Sequence, residues 1–383
     1  MQTRKPLKNT SRARSRRAFL RSVAIGAGAA GLAGVPAGAA SAGEGAKFSD
    51  RSASPAPALR EAIEYPRVFT GMKRKMISFP LGGIGAGSIS LGGRGQLREW
   101  WIANRPDKGN APEYAFPSIW VQSGNLKPVA KVLEARILPP YEGPSGLASA
   151  NAPGLPRLRT SAFTGEYPLA RVDFEDDELP VKVSLEAFTP FIPLDADDSG
   201  LPAAILRYSV ANPRPRSAKV SIAFSIDNPV GVGPGNAPAG GVGSHGRANV
   251  YRESESLQGL LMQNPFLPSS DHAFGSFVLA ILGAQPGGVT YLRGWPSARW
   301  WQSPLLFWED FSDDGRLGPE SAVRNAVGSL CLQREIPARG RADYTFILSW
   351  GFPNRTPARC GWEAPKGHEN DLIGNYYAAR FKD

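Results

Sequence analysis

Histidine and cysteine are scarce in this chain. Three histidines (His245, His272, His368) and two cysteines (Cys331, Cys360) are spread over 383 residues. None of the histidines stands at metal-ligand spacing from another histidine or a cysteine, so no metal site is expected. Two cysteines make no disulfide framework, and both are read as free thiols. Phosphate-binding loops are missing too. No G-x-x-x-x-G-K-[S/T] occurs, and Gly82-Gly-Ile-Gly-Ala-Gly87 fails the G-x-G-x-x-G pattern because Ser88 and Ser90 fall where the last glycine belongs. That run is read instead as a tight, twisted β-segment where backbones pack without side chains, with Gly92-Gly-Arg-Gly95 as a hairpin turn. There is no G-x-S-x-G nucleophile elbow, and no cofactor is expected.

Acidic residues are absent before Glu44, while residues 1–42 hold eight Lys and Arg. The whole chain carries +10, so removal of that segment leaves about +2, and the basic character belongs mostly to the N-terminus. No basic block remains that would suit nucleic acid. Ser15-Arg16-Arg17-Ala18-Phe19-Leu20-Arg21 followed by a mild Ala/Gly-rich run reads as a twin-arginine export signal over residues 1–42. Ala40-Ser41-Ala42 fits its cleavage site. The run is too rich in Gly and Ala, and too interrupted by Pro36, to make a good membrane span. The expectations are a twin-arginine translocase as partner of Arg16 and Arg17, a periplasmic or extracellular destination, and no integral membrane segment after the signal is removed.

Long helical periodicity is also nearly absent. What is present is period-two alternation. Val181–Phe188, Ile205–Val210 and Lys219–Ile226 each alternate apolar and polar residues, and Asn212-Pro-Arg-Pro-Arg-Ser217 between the last two reads as the turn of an antiparallel hairpin. Gly87–Leu91, Ile119–Ser123, Leu169–Phe174, Ser276–Leu282, Val289–Arg293, Leu330–Glu335 and Tyr344–Trp350 are further strand candidates. Many short strands with Gly and Pro between them argue an all-β fold, a large two-sheet antiparallel β-sandwich over residues 63–352. Residues 43–62 read as a flexible leader and 231–246 as a long glycine-rich loop. Only Glu369 to Asp383 looks ready to start a helix.

Glycoside chemistry needs two placed carboxyls, about 5 Å apart for retention. Glu99, Asp173, Glu186, Asp195, Asp227, Glu309 and Asp310 lie near aromatics or strand ends, but the simpler reading of each is a solvent-facing acid or a partner for arginine. Tryptophans cluster at Trp100-Trp101, Trp295, Trp300-Trp301 and Trp308. Indole faces stack on sugar rings, although they fill cores and domain interfaces more often.

Phe79-Pro-Leu-Gly-Gly-Ile-Gly-Ala-Gly-Ser88, Gly92-Gly-Arg-Gly-Gln-Leu-Arg-Glu-Trp100 and Asn104-Arg-Pro-Asp-Lys-Gly109 resemble the opening of glycoside hydrolase family 116, the bile-acid β-glucosidase and glucosylceramidase-like enzymes. Glu186-Ala-Phe-Thr-Pro-Phe-Ile-Pro-Leu194 and Asp198-Ser-Gly-Leu-Pro202 resemble the middle strands of that family. Trp350-Gly-Phe-Pro-Asn-Arg355, Arg359-Cys-Gly-Trp362 and Gly374-Asn-Tyr-Tyr-Ala-Ala-Arg-Phe-Lys-Asp383 resemble its linker, so residues 353–383 are expected to lead into a helical domain. The resemblance implies an N-terminal β-sandwich and a C-terminal (α/α)6 barrel that hydrolyses β-glucosides, in some members glucosylceramide, with a Glu nucleophile and an Asp acid/base. No position here matches those two residues, so no catalytic residue is expected in this chain. Trp100, Trp101, Asn104, Arg105, Trp300, Trp301 and Trp308 are the candidates for facing the barrel or the sugar, and some of Trp100, Trp101, Trp300, Trp301, Trp308, Trp350 and Trp362 are expected to be exposed. The competing reading is a free-standing, secreted carbohydrate-binding sandwich.

Overall fold

The computed structural model describes residues 64–106, 111–139, 152, 154–232, 246–284, 287–299 and 302–381. The chain divides into residues 1–61 and 62–383, and everything described lies in the second unit. The signal, its Arg16 and Arg17, and the leader lie outside the described residues, as do Trp300 and Trp301.

Two large sheets face each other. The first has nine strands in the order β1 (Val68–Phe69), β8 (Thr160–Glu166), β9 (Leu169–Glu175), β10 (Lys182–Phe188), β11 (Ala203–Ala211), β18 (Arg341–Gly351), β15 (Ser276–Leu282), β14 (Leu257–Gln263) and β13 (Ala248–Glu253), antiparallel throughout. The second has six, in the order β16 (Val289–Leu292), β17 (Val327–Ile336), β12 (Ala218–Asp227), β5 (Ala115–Ser123), β6 (Val129–Ala135) and β7 (Arg157–Leu158), with only the β6–β7 pair parallel. Alternate residues of each strand point inward. Leu206, Tyr208 and Val210 of β11 therefore meet Val220, Ile222 and Phe224 of β12 in one buried core.

The pairing corrects one expectation. Ile205–Val210 and Lys219–Ile226 do not form a hairpin: β11 lies between β10 and β18, whereas β12 lies between β17 and β5 in the opposite sheet. The connector is an arch between sheets. Asn212 holds it, its side-chain amide donating to the carbonyls of Arg216 (2.8 Å), Ile336 (3.3 Å) and Pro337 (3.0 Å). Pro213 and Pro215 withhold two N–H donors from any continuing ladder. Turn-forming residues mark where a chain reverses, not which sheet it enters next.

A second correction concerns helices. After a four-residue turn of helix α1 (Ala196–Ser199), helix α2 (Gln302–Asp314) covers the outer face of the six-stranded sheet. Phe307 and Phe311, four apart and fully buried, pack there with Trp295, Phe116, Trp120 and Cys331. This third layer explains why β12 and β5 are buried on both faces. The sequence hides α2 because Asp313 and Asp314 crowd its C-terminal end, where the helix dipole disfavours anions, and Pro304 sits in its first turn. Packing of Phe307 and Phe311 outweighs both, and Gly315, at φ 74°, ends the helix in the left-handed region.

A small sheet of β2 (Phe79–Leu81), β3 (Ser88–Leu91) and β4 (Leu97–Trp101) closes one end of the sandwich. The glycine run joins β2 to β3 and packs as backbone on backbone. A Cβ at Gly83 would meet the Leu201 carbonyl oxygen at 2.4 Å, and one at Gly87 the Trp101 carbonyl oxygen at 2.6 Å. The indole N–H of Trp350 donates to the Ala86 carbonyl at 2.7 Å, fixing the loop over the sheet. Gly92 to Gln96 makes the expected hairpin turn, with Gly92 N–H donating to Gln96 O at 2.8 Å. Beyond β18, short helices α3 (Pro357–Cys360) and α4 (Tyr376–Arg380) pack back on this end. No helical barrel is present among the described residues, and none of their helices is long and apolar enough to cross a membrane.

Candidate functional site

The capping sheet carries a β-bulge that decides which tryptophan is available. Register shifts between Ile89 and Ser90, so that Ser90 pairs with Arg98 and Ile89 with Trp100, leaving Glu99 as the extra residue at φ 54°. Strict alternation from the buried Leu97 would turn Trp101 inward. The bulge inverts the phase. Trp100 enters the core, tilted against Phe277 at 5.4 Å, and Trp101 faces out, 40% exposed.

Trp101 forms one wall of a cleft of about 190 Å³ at the end of the sandwich. Asn104, Arg105, Arg355, Trp362 and Asn375 also line it. Asn104 sits at φ 59°, a backbone conformation that asparagine tolerates better than most residues. Its amide N–H donates to Phe352 O at 2.7 Å, and its amide oxygen accepts from Asn375 Nδ2 at 2.6 Å. Asn375 also reaches Phe352 O (2.8 Å) and the Tyr377 hydroxyl (3.1 Å). The amide of Asn104 thus ties the segment after β18 to the capping sheet. Arg355 lies with its guanidinium carbon 4.3 Å from the Trp362 ring centroid, and donates to Asn375 Oδ1 at 3.2 Å and Cys360 Sγ at 3.3 Å. Thr356 caps α3 by accepting from Arg359 N, and Arg359 Nε donates to Ala103 O at 3.3 Å.

The remaining candidates separate. Trp308 is half-buried against the α2 core, edge-on to Phe311 at 6.3 Å, and is not among the residues lining the cleft. Trp350 is buried and Trp362 is 53% exposed, so exposed and buried tryptophans coexist as expected. Arg355 and Asn375 lie within the family-like motifs, but no local pattern gives them a role, because their meeting with Asn104 spans some 250 to 270 residues of chain.

The acids are used locally. Glu186 bridges Arg171 (3.4 Å) and Arg207, and Asp173 pairs with Arg171 at 2.6 Å. Asp195 caps α1 by accepting from Asp198 N, and Glu99 bonds Ser78 and Arg98. Burial pushes the Asp227 carboxyl up, opposed by Arg247 at 2.9 Å; burial likewise raises Asp310, which accepts from Gly318 N. Burial also drives the Cys331 thiol up to about 12, marking it as a core residue. No group of three His, Cys, Asp or Glu among the described residues is arranged to hold a metal.

A second depression, of about 720 Å³ and largely apolar, lies on the outer face of the nine-stranded sheet. Leu261 of β14, Val278 of β15 and Ala203 of β11 form its floor, and Tyr377, Ala378 and Phe381 its rim. Helix α4 is held beside it by Tyr376 and Arg380, which bond Asp197, with Arg380 also reaching Asp198 Oδ1 at 3.4 Å. Around this end of the molecule Ile84, Leu372, Ile373, Tyr376 and Phe381 are exposed.

Among known proteins, the family described as "beta-glucosidase 2, glycosyl-hydrolase family 116 N-term" matches residues 78–383. Solved structures with a similar chain path include a protein described as a kojibiose phosphorylase from human microbiome (9% identity, TM-score 0.35, covering 74% of this chain and 32% of that one). A polysaccharide lyase follows (9%, 0.30, 76% and 34%), and a family GH92 α-mannosidase from Bacteroides thetaiotaomicron (9%, 0.28, 74% and 32%). The chain spans about a third of the length of each of these three, and at such scores the likeness carries no argument.

Proposed function

We propose that this chain, which belongs to the N-terminal domains of glycosyl-hydrolase family 116, is the non-catalytic sandwich module of a retaining β-glucosidase or glucosylceramidase-like enzyme. It braces an (α/α)6 catalytic domain and lines part of its mouth with Trp101 and Arg105. The observation that carries this reading is the apolar groove beside α4. A groove floored by Leu261 and Val278 and rimmed by Phe381 is costly to leave in water, at about 25 cal/mol per Å² of apolar surface. A helical domain packed there removes that cost. The family membership supplies the kind of partner, and the engagement of Glu186, Asp173 and Asp195 in local pairs fits a module that leaves chemistry to that partner. Export through the twin-arginine route, with Arg16 and Arg17 as its signal, belongs to the same reading.

The test is assembly and turnover. The purified chain is expected to hydrolyse no aryl β-glucoside, and to co-purify with a separately produced family 116 catalytic domain. Val278→Asp with Phe381→Asp is expected to abolish co-purification while the β-rich circular dichroism stays unchanged. Turnover by the chain alone that disappears on replacing one of its own acids overturns the proposal, as does undiminished co-purification of the double variant.

A further inference from the structure

The end cleft has chemistry that packing alone does not require. Its lining includes two arginines, Arg105 and Arg355, two asparagines and two exposed indoles, and no Asp or Glu. Arg355 is the informative member. Its guanidinium carbon lies 4.3 Å from the Trp362 ring centroid, one N–H goes to Cys360 Sγ and one to Asn375 Oδ1, and no carboxylate among the described residues pairs with it. A guanidinium has five N–H donors, so three remain for an acceptor outside the protein. A planar cation fixed on an aromatic face suits a planar, two-oxygen anion. His272 has its pKa lowered, by burial first and then by Arg359 and Arg105, against the opposing pull of Asp271.

A space of about 190 Å³ is of monosaccharide size, and the exposed Trp101 offers a face against which the apolar side of a sugar ring can stack, while Trp362 carries Arg355. We infer that this cleft is a binding site for a carboxylate-bearing sugar, a uronic acid residue, with Arg355, seated on Trp362, taking the carboxylate and Trp101 taking the ring. The carbohydrate half of this inference rests on the glycosidase reading above; the carboxylate half stands on the cleft alone.

The experiment titrates the purified chain with sodium D-glucuronate, D-glucose and sodium acetate at constant ionic strength, following heat and tryptophan fluorescence. Saturable glucuronate binding, with glucose and acetate each at least tenfold weaker, is the expected result. Arg355→Lys keeps the charge but loses the planar pair of donors, and is expected to weaken glucuronate about tenfold, the order set by one charge-assisted hydrogen bond. Trp101→Ala trims a surface side chain and leaves Arg355 on Trp362, and is expected to weaken glucuronate while leaving acetate unchanged. Three results overturn the proposal: no glucuronate binding, glucose binding as tightly as glucuronate, or acetate competing as well as the sugar acid. The titration uses this chain with no catalytic domain joined to it, so its outcome is independent of whether the groove holds such a domain.

Discussion

Replacing Asn375 with alanine tests how the segment after β18 is held. Asn375 is 8% exposed, and its Nδ2 has two hydrogens for Asn104 Oδ1, Phe352 O and the Tyr377 hydroxyl, so it donates two bonds at a time; the bond its Oδ1 accepts from the half-buried Arg355 is replaced by water when that acceptor is lost. At about 1 kcal/mol net per bond the substitution costs about 2 kcal/mol. Phe352 O keeps its bonds from Asn104 and the Tyr377 hydroxyl, but Asn104 Oδ1 loses its donor, adding about 1 kcal/mol. The sum, about 3 kcal/mol, falls on the docking of residues 353–381 and not on the sheets, because Asn104, Phe352 and Tyr377 all lie outside the strands. Hydrogen exchange is the assay. Amides of Ile373, Gly374, Ala378 and Phe381, which bond only within this segment, are expected to exchange about a hundredfold faster, at about 1.4 kcal/mol per decade. Amides of β11 and β18 are expected to stay as they are. Uniform acceleration across both sheets refutes the reasoning, since it makes the segment part of one cooperative unit with the sandwich. No acceleration anywhere refutes the accounting of the knot.

Three further outcomes are expected. Phe307→Ala empties a fully buried site between α2 and Trp295, and is expected to lower stability by about 3–5 kcal/mol in denaturant unfolding; a loss under 1 kcal/mol refutes the third layer. In the native protein a maleimide is expected to label Cys360 and spare Cys331, which is fully buried, with both labelled after unfolding; native labelling of Cys331 counts against the core placement. Lysine at both positions 16 and 17 is expected to strand the protein in the cytoplasm, read by cell fractionation, and normal export of that variant removes the twin-arginine reading.

The β character of the chain, most of its strand positions and the packing role of the glycine run are written into local sequence. Each of these is a local property: side-chain alternation marks a strand with one buried face, and glycines without a nucleotide motif mark close backbone approach. The rest came from long-range packing. It sent Ile205–Val210 and Lys219–Ile226 to opposite sheets, because Asn212 finds its acceptors at Ile336 and Pro337, far along the chain. It formed α2 where charge placement argues against a helix, because Phe307 and Phe311 cover a strand face that would otherwise meet water. It chose Trp101 over Trp100 for the surface through one extra residue, Glu99, since inserting a residue in a strand exchanges its two faces. And it brought Arg355, Trp362 and Asn375 against Asn104 and Trp101. No local pattern encodes that meeting, which depends on chain segments some 250 to 270 residues apart folding onto the same end of the sandwich.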